Sequence, residues 1–101
     1  MKAVKTRQAV IDIIETADYI AQDNLEVAIR FIEAVEATIE KLTATPKIGK
    51  LQTIKSQHNL RMWFVDGFSD CLIFYTVTHE EIEIIRMIHS SRDYFRVFDN
   101  G

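Results

Sequence analysis

A chain of 101 residues that is 48% hydrophobic and 27% charged, with three Gly and one Pro, has the make-up of an ordinary globular domain rather than a disordered or fibrous chain. At this length roughly 60 to 65% of the unfolded surface is buried on folding, which supports one core, so a single domain over residues 1–101 is expected and large multidomain enzymes are excluded. A net charge of −3 argues against a broad basic footprint for nucleic acid, because each phosphate contact needs a Lys or Arg.

In chain order, Lys2 to Lys5 offers a short strand. Between Ala9 and Ala21, the residues Val10, Ile13, Ile14, Ala17, Ile20 and Ala21 recur at helical spacing, with Asp12, Glu15 and Asp18 on the other side, which predicts an amphipathic helix. Asp23 with Glu26 three residues on, or Asn24 as the cap, opens a second run of Ala28, Phe31, Ile32, Val35, Ile39 and Leu42. Its stripe of Phe31, Ile32, Val35 and Ile39 is read as core. Only Gln22 to Asn24 separate the two helices, so they are expected to pack as an antiparallel hairpin.

Pro46 and Gly49 stop the second helix. The connection from Thr43 to Asn59 is then about 17 residues long, beyond the length usual for a structureless loop, which favours function or mobility there. It is also where charge segregates. Residues 1–44 carry −3, and residues 45–64 carry +4 from Lys47, Lys50, Lys55 and Arg61 with no acid; residues 65–83 carry −5, and residues 84–101 carry +1. Such a stretch is suited to an acidic partner.

From Leu60 the pattern changes to short β-branched and aromatic runs. Leu60 to Val65, Cys71 to Val77 and Ile82 to Ile88 read as a three-stranded antiparallel meander, and Arg92 to Phe98 as a last helical turn or tail. The expected fold class is α+β, an N-terminal antiparallel helical hairpin packed on a C-terminal antiparallel β-meander. The middle run is apolar on both faces, which makes it the central strand. A chain this short has little material of its own for the second face, so a second chain is expected to cover apolar surface left by the sheet and the hairpin.

The longest apolar run, Cys71 to Tyr75, is far below the roughly 20 residues that span a bilayer, and the N-terminus lacks a secretory apolar segment. A soluble, cytoplasmic protein is expected. Cys71 cannot form an internal disulfide, and His58, His79 and His89 have no metal-ligand spacing, so neither structural metal nor cofactor is expected.

Four stretches carry a resemblance: ADYIAQDNLEVAIRFIEAVEATIEKL at 17–42, PKIG at 46–49, LRMWFVDGFSDCLIFYTV at 60–77 and IEIIRMIHSSRD at 82–93. The Leu-Arg opening of the first meander strand, the Gly-Phe turn before an aliphatic-Phe-Tyr strand, and Arg-x-x-His-x-x-Arg-Asp near the end are the most specific parts. With the order of hairpin, basic connection and meander, they resemble the RelE/ParE superfamily of bacterial toxins, closest to its ParE branch. The resemblance implies a small toxin of a type II toxin–antitoxin, plasmid-stabilisation module, neutralised by a cognate antitoxin. It implies assembly as a homodimer or as a hetero-oligomer with that antitoxin.

ParE-like toxins poison DNA gyrase, whereas RelE-like toxins cut messenger RNA in the ribosome. Cutting RNA without a metal needs a group to activate the 2′-hydroxyl and cations for the charge building on the phosphate. Arg61 stands at one basic position of the nuclease branch, but Trp63 and Leu72 fall where that branch has Lys and Arg, and Tyr94 matches its tyrosine only loosely. The leading expectation is a non-enzymatic gyrase inhibitor. The alternatives are a ribosome-dependent endoribonuclease acting on messenger RNA and a degenerate toxin that keeps only antitoxin binding.

The candidate target or partner contacts are Lys47, Lys50, Arg61, Trp63, Arg86, His89 and Arg92; no catalytic residue is assigned. Arg86 lies on an apolar strand in phase with Ile82, Ile84 and Ile88, so it needs either a partner surface or an ion pair with Asp93 or Glu83 at the sheet end. Arg61 is a solvated strand end or a functional cation. His89 with Arg92 and Asp93 has no nucleophile motif nearby, which favours strand-end hydrogen bonding. Trp63 and Phe68 are partner anchors or core, and Cys71 a small core hydrophobe.

Overall fold

The computed structural model describes residues 1–54 and 56–99; Lys55, one cation of the basic connection, lies outside the described residues. The elements are β1 (Lys2–Lys5), α1 (Arg7–Asp23), α2 (Leu25–Ala44), a 3-10 turn (Pro46–Ile48), β2 (Lys50–Leu51), β3 (Arg61–Val65), β4 (Phe68–Val77), β5 (Glu81–His89) and α3 (Tyr94–Asp99). The strands form one sheet in the order β1-β5-β4-β3-β2, with β1 parallel to β5 and the other neighbours antiparallel. The expected meander is therefore the centre of a larger mixed sheet. The connection supplies its extra edge strand, because α2 runs on to Ala44 and only a 3-10 turn separates it from β2.

Single polar residues set the joints. Thr6 ends β1 and starts α1: its hydroxyl accepts the Ala9 N–H at 3.0 Å and donates to the Ile85 carbonyl at 2.8 Å. Asn24 does the same between the helices, its N–H closing α1 on the Ile20 carbonyl at 2.9 Å while Oδ1 accepts the Val27 N–H at 3.1 Å. Asn24, not Asp23, is thus the cap. Asp66 and Gly67 join β3 to β4, and the φ of 80° at Gly67 is one that a side chain would strain.

β4 is central and buried on both faces, as its composition requires. Successive side chains point to opposite faces, so Cys71, Ile73 and Tyr75 meet Phe31, Val35, Ile39 and Leu42 of α2, while Leu72 and Phe74 point away. That second face is covered by the chain itself: Ile54, Leu60 and Phe98 close over Leu72, Phe74 and Ile88. The Phe74 ring lies 5.1 Å from that of Phe98 and 5.2 Å from that of Tyr94. The Ser56 hydroxyl ties the connection to α3 by donating to the Phe98 carbonyl at 3.0 Å. The expectation that a second chain is needed over this side of the sheet is corrected, because α3 is amphipathic and lies within reach of β4.

The hairpin is packed less completely than its periodicity suggests. Phe31, Val35 and Ile39 are core, but Ile32 is 45% exposed, and Ile14 and Ile29 are 53% and 50% exposed. Each helix carries a wider apolar stripe than one sheet face can cover. Asp12, expected among the solvated acids, is instead buried against β5.

Candidate functional site

Two groups of polar side chains organise the ends of the sheet. The first is built on Tyr75. Its hydroxyl donates to the Pro46 carbonyl at 2.7 Å and accepts the Gly49 N–H at 2.9 Å. Gly49 is required here, because a Cβ would overlap the Tyr75 hydroxyl and ring. Arg61, opposite Tyr75 on β3, donates from one terminal nitrogen to the Gly49 carbonyl at 2.7 Å and to the Lys47 carbonyl at 3.3 Å. Together these bonds hold the 3-10 turn and β2 against the sheet. They leave an open pocket of about 410 Å³ whose walls include Lys47, Arg61, Leu51, Val77 and His79. Lys50 lies on β2 beside it, exposed.

Burial raises the Tyr75 phenol above its ordinary 10.0; the Gly49 hydrogen bond and the Arg61 charge pull it back only in part. A raised folded-state pKa contributes stability that is fully present below the unfolded value and is lost as pH rises through the folded one. Cys71, raised from 9.0 by burial and then by Asp70, has the same sign. The protein is therefore expected to lose stability above about pH 9 to 10. Tyr75→Phe should be less stable at neutral pH by about 1 to 3 kcal/mol, since it leaves the Gly49 N–H unpaired, and should lose less on going to high pH. Thermal melts of the two proteins across the alkaline range check both signs; parallel curves would remove Tyr75 from the alkaline loss.

The second group surrounds Asp12. Arg86 Nε and Nη2 donate to Asp12 Oδ2 and Oδ1 at 2.7 and 3.1 Å, Gln8 Nε2 donates to Oδ1 at 3.1 Å, and the Met87 N–H donates to Oδ2 at 3.0 Å. The side chains of Arg86 and Asp12 are 20% and 9% exposed. Arg86 thus has an ion pair, but with α1 rather than with Asp93 or Glu83. The cause is a bulge: Tyr75 pairs with Ile84 and Phe74 with Arg86, so Ile85 is an extra residue. Arg86 is thereby out of phase with Ile82 and Ile84, at the strand edge where α1 passes. Asp93 caps α3, its Oδ1 accepting the Arg96 N–H at 3.2 Å.

His89 and Arg92 lie at the end of β5. His89 Nδ1 is 2.7 Å from the Ser91 hydroxyl and accepts the Ser91 N–H at 3.0 Å; the Arg92 N–H donates to the His89 carbonyl at 3.0 Å. These are strand-end bonds. With Glu15, Thr16 and Tyr19, both residues line a shallow depression of about 270 Å³ above Asp12.

The sequence-derived set is therefore not one site. Lys47, Lys50 and Arg61 gather at the β2 edge, while Arg86, His89 and Arg92 gather at the α1 side of β5. Trp63 belongs to neither. It packs against the helix-facing core and stacks on Phe64 at 4.8 Å between centroids, with its Nε1 buried and unpartnered among the described residues. Leu72 is buried in the cluster under α3 and offers no polar group, and the half-buried Tyr94 ring is packed on Phe74, on the α3 side of the sheet.

Sequence reasoning expected apolar surface on the hairpin for a second chain to cover but did not name the residues that form it. Val10 and Ile14 of α1 and Leu25, Ile29 and Ile32 of α2 are all exposed. Val10, Ile13 and Ile14 line a depression of about 190 Å³ rimmed by Lys5 and Glu36, which pair at 3.1 Å. An apolar stripe wider than one third of each helix was the signal available.

Among the described residues, no helix is long and apolar enough to cross a membrane, and no three His, Cys, Asp or Glu are grouped to hold a metal ion. No curated protein matches the chain in sequence. In fold it is similar to a solved chromosomal ParDE TA system from P. aeruginosa, with a TM-score of 0.71 and 19% identity over 88% of this chain and 95% of that one. The family model described as ParE toxin of type II toxin-antitoxin system, parDE, matches residues 4–94. With helices packed on a five-stranded sheet and a family match over residues 4–94, the chain belongs to the ParE toxin family and is the toxin of a type II toxin–antitoxin module.

Proposed function

We propose that this toxin inhibits DNA gyrase, and that its antitoxin neutralises it by lying across the exposed apolar face of the α1–α2 hairpin. A toxin–antitoxin module implies a cognate antitoxin, and an amphipathic segment is the natural cover for Val10, Ile14, Ile29 and Ile32. The Lys47, Lys50 and Arg61 edge is assigned to the target.

The observation that carries this reading over messenger RNA cleavage is the condition of the cations. Arg86 is bound to Asp12, Arg61 is bound to two carbonyls at the far edge, and Trp63 and Leu72 occupy the other positions. Trp63 and Leu72 therefore leave Arg61 without the neighbouring strand cations that the nuclease branch would set around one phosphate.

A supercoiling assay with purified gyrase tests the proposal. The toxin is expected to block supercoiling and to leave translated messages intact, and antitoxin should restore activity. An Ile14→Asp/Ile29→Asp toxin should still block gyrase but escape neutralisation. Ribosome-dependent cleavage by the purified protein would replace this reading with the nuclease one. A protein that binds antitoxin yet slows neither growth nor gyrase would be the degenerate toxin.

A further inference from the structure

The pocket at the β2 edge has features that a merely solvated loop does not need. Lys47, Arg61 and His79 stand around it, Leu51 and Val77 supply apolar wall, and no Asp or Glu is among its lining residues. Arg61 is held from behind: one terminal nitrogen is committed to the Gly49 and Lys47 carbonyls, which fixes the guanidinium, while Nε and the other terminal nitrogen have no hydrogen-bond partner among the described residues. A guanidinium fixed on one side and open on another is preorganised for a carboxylate or phosphate. The outer side of β2 pairs with no strand of the sheet, and of its two residues the Lys50 carbonyl already accepts the Gln52 Nε2 amide at 2.9 Å, so an added extended segment has a short stretch of backbone to pair with.

We propose that this pocket receives a single carboxylate side chain, flanked by apolar residues, on an extended segment of a protein partner. The proposal rests on the assignment of this edge to the target and gives that contact its chemistry. A single carboxylate is favoured over nucleic acid by what lies outside the pocket. His79 is followed by Glu80, whose carboxylate reaches His79 Nε2 at 3.6 Å, and by Glu81. A phosphate chain continuing past the pocket would run against these acids and against the −3 charge of the protein. One carboxylate with apolar neighbours meets the cations and the Leu51 and Val77 side chains without that repulsion.

The test is an NMR titration of the purified toxin with four probes: a short capped peptide carrying one glutamate between valines, its glutamine counterpart, inorganic phosphate and a short single-stranded DNA. The glutamate peptide should shift resonances of Lys47, Leu51, Arg61 and His79. Roughly tenfold weaker binding is expected for the glutamine peptide, and the same for the Lys47→Ala and His79→Ala toxins, the loss of one polar contact to the carboxylate. Those two variants touch only exposed side chains, so they keep the test valid if Arg61→Ala, which frees the Gly49 carbonyl, fails to fold. Equal binding of the glutamine peptide, tighter binding of the DNA, or no shift at these residues would each overturn the proposal. Peptide binding here by a toxin that leaves gyrase active would keep the pocket assignment and remove gyrase as its target. Undiminished gyrase inhibition by the Lys47→Ala/His79→Ala toxin would remove the pocket from the target contact.

Discussion

Asp12→Ala is expected to destabilise the protein by about 3 to 5 kcal/mol, because it leaves a largely buried guanidinium without its counter-charge. It also leaves the Met87 N–H, in the middle of β5, without an acceptor. Those two losses separate in other variants. Arg86→Met removes the charge and keeps Asp12 as acceptor, but strands a buried carboxylate. Asp12→Asn with Arg86→Met removes both charges and still offers an oxygen to Met87. This double variant should therefore be more stable than Asp12→Ala, in keeping with the general finding that a buried pair contributes little over apolar replacements while half a pair is costly. Urea unfolding followed by circular dichroism reads all three. A cost below about 1 kcal/mol for Asp12→Ala, the range of exposed pairs, would place Arg86 and Asp12 in solvent and return Arg86 to the list of free cations.

The second large effect distinguishes the two apolar surfaces. Phe74 is fully buried between the sheet and α3, and Phe74→Ala should cost about 3 to 5 kcal/mol, the usual range for an aromatic removed from a core. Ile14→Asp, on the open face of α1, should change stability by no more than about 0.5 kcal/mol, as surface substitutions usually do. The contrast is the point of the measurement. If both substitutions cost several kcal/mol, the hairpin face is covered in the free toxin and is no docking surface. If neither does, α3 does not close over β4.

Much of this was readable before any coordinates. Helical spacing located α1 and α2, and the change to alternating apolar runs located the three central strands, because both follow from which residues must be buried together. Three features depended on information that spacing does not carry. The bulge at Ile85 shifted Arg86 by one position, and no local signal marks a bulge in a run of Ile and Met. Asp12 sits where a helical wheel places solvent, and its burial follows from the end of β1 at Lys5, which leaves α1 to run along β5. The coverage of β4 by α3 depended on a six-residue helix at the end of the chain, too short for its period to show. At the candidate site, the basic connection was legible as charge. Its order was not, since that order comes from the Tyr75 phenol and the Arg61 guanidinium reaching it from β4 and β3, residues far from the connection's first half in sequence.

The handover from β1 to α1 has a consequence for self-association. Backbone groups along the outer side of β5 are taken first by β1, from Glu81 to Ile84, and then by the Thr6 hydroxyl and the Asp12 carboxylate as far as Met87. The opposite border of the sheet is different: β2 pairs only with Arg61 and Met62, and the strand beyond them continues to Val65 with no neighbour on that side. On the β5 side, β1 is thereby left as the border strand, four residues long and paired only with β5. The sheet thus offers a short border at each end, β1 on one side and β2 with the uncovered part of β3 on the other, and short borders limit how much backbone a second chain can pair with.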